Sequence, residues 1–410
     1  MALHVMDEAN RCLGCKKPQC QKGCPINTPI PEVIKLLKEQ KLDEAGWMLF
    51  ENNPLTTVCS LICNHENQCE GHCVLGKKGA PVHFSVIENY ISSTYASKMV
   101  KGPAPSNGIK VAIVGSGPAG ITIAILLARK GYQVTIFESK DKIGGILRYG
   151  IPEFRLPKSV LDDIEYRHLE LKGIKIRPNT KIGAAIGLDD LFDDGYKAVF
   201  IGTGVWKPNR LRIKGESFGH VHYAINYLNN PDSHRLGEKV IVIGAGNAAM
   251  DVARTAVRKG SRKVTCFSLT RKVFASQHEF SYAQLEGVDF EYNKKPIEIT
   301  DDGVIFRDLI EGEDGSLTEV PGSDHLVEAN SVMISISQGP QNTIVSTTTG
   351  LNATPRGLLA ADERGRTSRP GVFASGDVVD GARTVVEAVA HSKVVAEAMH
   401  EYIQSTLTEA

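Results

Sequence analysis

Lys110-Val111-Ala112-Ile113-Val114-Gly115-Ser116-Gly117-Pro118-Ala119-Gly120, followed after a helical stretch by Val134-Thr135-Ile136-Phe137-Glu138, is the part of the chain whose reading decides the fold. A four-residue apolar run feeding G-x-G-x-x-G reads as a buried parallel strand turning into a helix. The glycines let the backbone approach a pyrophosphate, whose charge would sit on the helix N-terminus. Glu138 ends the next strand, where it can accept from a ribose hydroxyl. A glycine turn in an ordinary α/β core is the bland alternative. Strand, glycines, helix and an acid at about 20 residues agree on a dinucleotide site instead.

The pattern recurs at Lys239-Val240-Ile241-Val242-Ile243-Gly244-Ala245-Gly246-Asn247-Ala248-Ala249-Met250-Asp251, then a helix and Lys263-Val264-Thr265-Cys266-Phe267. Ala249 replaces the third glycine, as the motif permits. Two sites suggest two nucleotides, one a tightly held flavin and the other a nicotinamide that comes and goes. Beyond the second unit's strand stand Ser268-Leu269-Thr270-Arg271-Lys272. An acid there would favour a free ribose and an arginine a 2′-phosphate. No acid is present and the basic pair comes late, so NADH and NADPH both stay open. Arg271 and Lys272 also read as solvated loop charges.

Between and after these units the text alternates strand and helix. Lys142–Pro157 is a glycine- and proline-punctuated loop that could wrap a flavin ring or simply connect at the surface. Ala198–Gly204 is a buried strand ending in a glycine turn, and Asn330–Pro340 reads as the return strand from the second nucleotide domain. Gly371–Asp377 is a strand ending in an acid. An Asp there, with a helix N-terminus just beyond, can bond a ribityl chain while the helix dipole faces the reduced flavin's N1 charge. The last ten residues read as a fraying tail.

Residues 1–108 differ in composition. Helices are expected after Thr28-Pro29 and through Leu42–Leu49, stopped by Asn52-Asn53-Pro54, and Gly102–Gly108 reads as a linker. Eight of the nine cysteines lie between Cys12 and Cys73, spaced Cys12-x2-Cys15-x4-Cys20-x3-Cys24-Pro25 and Cys59-x3-Cys63-x5-Cys69-x3-Cys73. The first run is close to the ferredoxin pattern C-x2-C-x2-C-x3-C-P, with a longer middle gap. Structural zinc usually shows paired C-x2-C knuckles, and only Cys12/Cys15 forms one. Two iron–sulfur clusters are the natural reading, with zinc or disulfides as the alternatives.

The chain has 410 residues, enough for several domains, and equal numbers of basic and acidic residues, 47 each. No basic stripe points to nucleic acid or membrane. Met1–Glu8 lacks a secretory pattern and no apolar run would span a bilayer, so a cytoplasmic protein is expected.

The cysteine pattern, Gly115–Gly120, Gly144-Gly145, Tyr149-Gly150-Ile151-Pro152, Phe154-Arg155-Leu156-Pro157, Gly244–Ala253 and Gly376-Asp377 together resemble the glutamate synthase small-chain family. Its relatives include the electron-input half of dihydropyrimidine dehydrogenase and ferredoxin-linked flavin subunits. The resemblance runs from Cys12 to about Tyr402 and implies an α/β fold: two Rossmann-like dinucleotide-binding domains, for FAD and NAD(P)H, preceded by a helical iron–sulfur domain. The expected division is 1–108 for two [4Fe-4S] clusters, 109–226 and 335–410 for FAD, and 227–334 for NAD(P)H.

Candidate FAD contacts are Gly115, Gly117, Pro118, Ala119, Gly120, Glu138, Gly145, Arg148, Gly204, Gly376, Asp377, Thr384 and Val385. Those for NAD(P)H are Gly244, Gly246, Asn247, Ala248, Arg271 and Lys272. By the resemblance, one cluster is held by Cys12, Cys15, Cys20 and Cys73, and the other by Cys24, Cys63, Cys69 and Glu88. Spacing alone would choose Cys59 over Glu88, whose bland reading is a helix-surface charge. In NADPH-using relatives two arginines follow the second unit's strand, where this chain has Leu269 and Thr270, a tilt toward NADH.

The implied function is an electron-input flavoprotein, passing electrons from NAD(P)H through FAD and clusters to a catalytic partner subunit or a ferredoxin-like carrier. No catalytic residue beyond the FAD itself is expected. A disulfide reductase would need a reactive cysteine pair beside the flavin, and beyond residue 73 only Cys266 is present. An iron–sulfur redox sensor or assembly subunit is the non-enzymatic alternative. The chain begins Met1-Ala2, without an N-terminal nucleophilic cysteine, so glutamine hydrolysis is expected on a partner.

Overall fold

The computed structural model describes residues 2–96, 98 and 103–408. They form two compact units, one comprising the chain as far as Arg148 with Glu153–Val205 and the chain from Pro340, the other Tyr149–Pro152 and Trp206–Gly339.

The first unit opens with short helices. Ile30–Lys38 starts where Thr28-Pro29 predicted, and Ile30, Val33, Ile34 and Leu37 turn inward at helical spacing. Leu42–Asn52 ends ahead of Pro54. With Phe84–Ala96 these helices enclose a core of Val33, Ile34, Leu49, Phe84, Ile87 and Ile91, against which Cys12, Cys20, Cys24 and Cys73 pack.

The same unit holds a parallel sheet in the order Val372–Ala374, Tyr196–Ile201, Lys110–Val114, Gln133–Phe137, Lys175–Arg177. The two strands of the opening motif bury every residue but the first, as a parallel sheet covered on both faces requires. The helix Pro118–Arg129 is buried nearly all round. It packs along Val385–Thr408.

That closing helix corrects the expectation of a fraying tail. It runs to Thr408 because Ile403 is fully buried and Tyr402 sets its ring edge against Phe373 at 5.7 Å.

The cysteine-bearing helices are fastened to the sheet by side chains from Leu42–Asn52. Arg129 pairs with Glu51 and lies 5.4 Å over the Trp47 ring. Lys393 Nζ donates to the Asn52 carbonyl at 2.8 Å. Phe50 stacks on His168 at 4.9 Å. His168 is buried, its Nδ1 has no hydrogen-bond partner, and burial pushes its pKa down to about 4.

The second unit carries a parallel sheet in the order Val221–Tyr223, Ser331–Ile334, Lys239–Ile243, Lys263–Phe267, Val288–Glu291. It is wider than the expected 227–334. Val221–Tyr223 pairs with Ser331–Ile334, and Lys207–Pro208 pairs with Gln338–Gly339. An antiparallel sheet built on Lys294–Thr300 and Gly303–Glu311, which the sequence reading did not anticipate, stacks Phe306 on Phe267 at 4.1 Å.

Two outcomes follow from this packing. Ile403→Ala should cost about 2–5 kcal/mol of stability, as for other buried large-to-small changes, read from the denaturant midpoint. A folded-state pKa for His168 below its ordinary 6.5 means that the unfolded chain takes up the proton more readily. The stability concerned is complete above pH 6.5 and drains as pH falls toward 4, by about 3 kcal/mol in all. His168→Phe should lose correspondingly less than the parent between urea unfolding at neutral pH and at about pH 4.

Candidate functional site

The first glycine turn follows Lys110–Val114. A Cβ on residue 120 would come within 2.0 Å of the Gly115 carbonyl oxygen, so strand and helix close to a distance only glycine allows. Gly117 caps the helix with no side-chain hydrogen bond, and the nearest atom to a Cβ there is 4.0 Å away. The turn is therefore tight on its inner side and open above the helix N-terminus, which suits a pyrophosphate.

Glu138 is buried beneath this turn. Its carboxylate accepts from Ser116 N at 2.9 Å, Ser116 Oγ at 2.5 Å, Lys140 N at 2.8 Å and Ser139 Oγ at 3.1 Å. These bonds use its lone pairs within the chain, so the acid also fastens the turn.

The other candidates on this unit gather around the turn or support it. A Cβ on Gly145 would meet Gly117 Cα at 2.8 Å, so the Gly144-Gly145 loop lies against the phosphate turn. Arg148 is tied down, its Nε donating to the Ile143 carbonyl at 2.7 Å and its guanidinium pairing with Asp162 at 2.7 Å. In this structure it anchors the loop. Gly204 follows Gly202, whose carbonyl stands beside Gly115, and Gly376 lies against Ala119.

Asp377 begins the short helix Asp377–Asp380 and accepts from Arg383 N at 3.2 Å. Burial raises its pKa to about 6. Thr384 precedes Val385 and exchanges hydrogen bonds with Glu387, the carboxylate accepting from Thr384 Oγ1 at 2.5 Å and Thr384 N at 3.0 Å. This capping box fixes the N-terminus of Val385–Thr408. It was missed in the sequence reading although Thr-x-x-Glu is its signature.

The second glycine turn repeats the geometry in its own unit. A Cβ on Gly244 would stand 2.2 Å from the Ser335 carbonyl oxygen, whereas nothing lies within 4 Å of one on Gly246. The helix Asn247–Arg258 has no side-chain cap. Phe274 N and Ala275 N both donate to the Ala245 carbonyl at 3.0 Å, and Asn247 Oδ1 accepts from Ser276 N at 2.9 Å. The segment after Lys272 thus folds back on the turn, a contact no sequence signal announced. Arg271 and Lys272 are exposed. Arg271 N is held by Glu311 at 3.0 Å, and Lys272 Nζ lies 5.4 Å over the Phe274 ring. Leu269 is exposed and Thr270 half-buried beside them.

The cysteines fall into two neighbourhoods. Cys12, Cys15, Cys20 and Cys73 line one cavity, where Cys69 also reaches the wall. Burial pushes the Cys20 thiol up to about 11, and its neighbours Cys73, Cys12 and Cys15 add to the rise. Val82 N donates to Cys73 Sγ at 3.5 Å.

The second neighbourhood joins Cys63, Cys69, Cys24 and Glu88. The Cys59 thiol beside Cys63 raises its pKa, with burial and Glu88 adding, while burial lifts Cys69 and then Glu88, Glu70 and Cys24 contribute. Glu88 faces inward on Phe84–Ala96, accepts from Thr56 Oγ1 at 2.7 Å and is lifted by burial to about 7. It is not the helix-surface charge of the bland reading. Cys59 is buried in the same place. Among the described residues, no three metal-ligating side chains close on one point as ligands of a single ion would. The thiols are spread around their cavity, a donor set of soft sulfur suited to a cluster. Iron binding there would release the thiol protons.

Fold and geometry together define an NAD(P)H-dependent oxidoreductase of the flavin type with an iron–sulfur domain ahead of it. Residues 109–392 match the family described as pyridine nucleotide-disulphide oxidoreductase, and residues 2–100 match dihydropyrimidine dehydrogenase domain II, 4Fe-4S cluster. The glutamate synthase [NADPH] small chain of Escherichia coli is 32% identical over 97% of this chain and 91% of its own. The NAD-dependent dihydropyrimidine dehydrogenase subunit PreT of Salmonella typhimurium is 30% identical over 98% and 95%. In the solved structures, Mycobacterium tuberculosis FprA in complex with NADPH superposes with a TM-score of 0.62 at 17% identity, over 75% of this chain and 86% of that one. The chain belongs to the glutamate synthase small-chain family. No helix among the described residues is long and apolar enough to cross a membrane.

Glu88 and Cys59 share the second neighbourhood, and single variants tell them apart. Glu88→Ala should lower the loaded protein's iron, acid-labile sulfide and electron paramagnetic resonance signal after reduction, whereas Cys59→Ala should leave all three unchanged. The reverse result would make Cys59 the ligand.

Proposed function

We propose that this chain is the electron-input subunit of a larger oxidoreductase of the glutamate synthase type, taking electrons from a nicotinamide dinucleotide and delivering them to a catalytic partner. The observation that carries this reading is that both cysteine neighbourhoods share one compact unit with the first glycine turn. A sensor would not need two nucleotide turns. A disulfide reductase would need a reactive thiol pair at the flavin, and Cys266 is buried, with its thiol pushed up by burial.

In this reading the Gly115–Gly120 turn would hold FAD, which would supply the conversion of a two-electron hydride to single electrons, and the two cysteine neighbourhoods would hold [4Fe-4S] clusters able to carry them. The protein's part is placement. Gly117 leaves room above the first helix N-terminus, and Glu138 and Asp377 stand at strand ends to accept from hydroxyls. The capped N-terminus at Thr384 brings its positive helix end to the site. Gly246 gives the nicotinamide dinucleotide the same approach in the second unit. A cluster would be held by Cys12, Cys15, Cys20 and Cys73, and a second by Cys24, Cys63, Cys69 and Glu88, beside the apolar core of the helical region.

Leu269 and Thr270 offer no cation to a 2′-phosphate, which favours NADH and the NAD-dependent dihydropyrimidine dehydrogenase type as the second reading for the partner. The NADPH named for the E. coli relative is the competing preference.

Anaerobic titration with each nucleotide, followed by flavin bleaching, tests the entry point. NADH should bleach the flavin at lower concentration, and Leu269→Arg with Thr270→Arg should improve NADPH by about tenfold, the worth of one charged hydrogen bond. Cys20→Ala should leave NAD(P)H-to-dye activity intact while transfer to a partner is lost. Failure of both nucleotides to bleach a flavin-replete sample would overturn the proposal.

A further inference from the structure

We infer that the rim of the cavity lined by Cys12, Cys15, Cys20 and Cys73 is a basic docking surface for a partner protein whose own electron-accepting group is ringed by acidic side chains. The inference rests on the electron-input reading and adds the chemistry of the partner's face.

Lys16 and Lys17 are exposed in the loop between Cys15 and Cys20, and Lys22 is exposed on the short helix Gln19–Gly23 that carries Cys20. Lys77 ends the helical turn Val74–Lys77, whose Val74 and Leu75 line the same cavity, and Lys78 follows it. Both are exposed. Residues 9–31 and 71–87, which supply these loops, contain no Asp or Glu. The remaining cation, Arg11, is occupied by Glu8 and by the Ala80 and Pro81 carbonyls. Among the described residues, no carboxylate stands within ion-pair distance of the five lysines, whereas lysines elsewhere on this unit pair locally, as Lys41 does with Glu39 and Lys130 with Glu397.

This is a local departure in a chain with no net charge. Five exposed lysines on the loops that supply one cavity's wall give a locally positive surface, which an acidic partner face would complement. Leu13, 65% exposed, lies on the cavity wall between Cys12 and Cys15. An apolar contact surrounded by a charged rim is the anatomy of a protein–protein contact. Charge of one sign around the site where electrons leave would speed encounter and orient the acceptor, with an effect that fades as salt rises.

The test uses the cluster- and flavin-loaded protein with an oxidised plant-type [2Fe-2S] ferredoxin as the acidic probe and cytochrome c as the basic one. Binding is measured by calorimetry at about 0.02 and 0.2 M salt. Ferredoxin should bind at low salt with a Kd that rises about tenfold or more at the higher salt. Lys16→Glu, Lys17→Glu and Lys22→Glu combined should weaken that binding by a similar factor, with NAD(P)H-to-dye activity unchanged and reduction of cytochrome c undiminished. Lys77→Glu with Lys78→Glu is the independent second variant, should the first lose its cluster absorbance. Ferredoxin binding indifferent to salt and to both variants would overturn the inference, as would tighter binding of a short DNA duplex than of ferredoxin. Loss of dye reduction by the parent protein would instead count against the electron-input reading itself.

Discussion

The Gly202 carbonyl stands where a Cβ on residue 115 would come within 2.7 Å, and the Gly115 carbonyl stands where one on residue 120 would come within 2.0 Å. This close stacking of three backbone segments is what lets the strand Lys110–Val114 deliver a helix N-terminus to the edge of the sheet. The sheet order follows from it, because Tyr196–Ile201 must lie directly beside Lys110–Val114 for Gly202 to reach the turn. The second unit solves the same problem with the Ser335 carbonyl facing Gly244. In both, the atoms on the inner side leave no room and the outer side stays open.

Holding such a turn demands that its buried polar groups be satisfied. Glu138 meets that demand by accepting from Ser116, Ser139 and Lys140 at once. A buried carboxylate without those donors would be expensive. Glu88 accepts from Thr56, and burial raises its pKa to about 7, whereas Glu138 accepts several hydrogen bonds. One acid completes a turn, and the other lies buried beside Cys63 and Cys69. The helices carrying the cysteines are in turn tied to the sheet through Glu51, Asn52 and Phe50, so the donors and the first glycine turn belong to one body.

Much of this was legible in the residues. The apolar runs at Val111–Val114 and Val240–Ile243, each ending in glycines, announced two parallel sheets, and the cysteine spacing announced a separate helical region. The capping box at Thr384 and Glu387 was equally legible and was overlooked. Other features had a faint local signal or were misread. The antiparallel strands around Gly303–Glu311 alternate burial weakly along their length, so period-two patterning is faint. The end of the C-terminal helix read as a tail although Met399 and Ile403 continue its apolar face at helical spacing, and its packing against the fold explains its burial.

By itself the sequence determined the two strand–turn–helix units, since a run of buried β-branched residues followed by glycines at those spacings has few other stable conformations. It also determined that soft sulfur ligands would be concentrated ahead of them. Tertiary structure alone decided which cysteines share a cavity, that Glu88 faces inward with Cys63 and Cys69 while Cys59 lies alongside, and that Val221–Tyr223 extends the second sheet. The physical reason is range. Turn geometry and helix capping are settled by residues a few positions apart. The grouping of Cys12, Cys15 and Cys20 with Cys73, and of Cys24 with Glu88, depends on how helices distant in sequence pack around a common core.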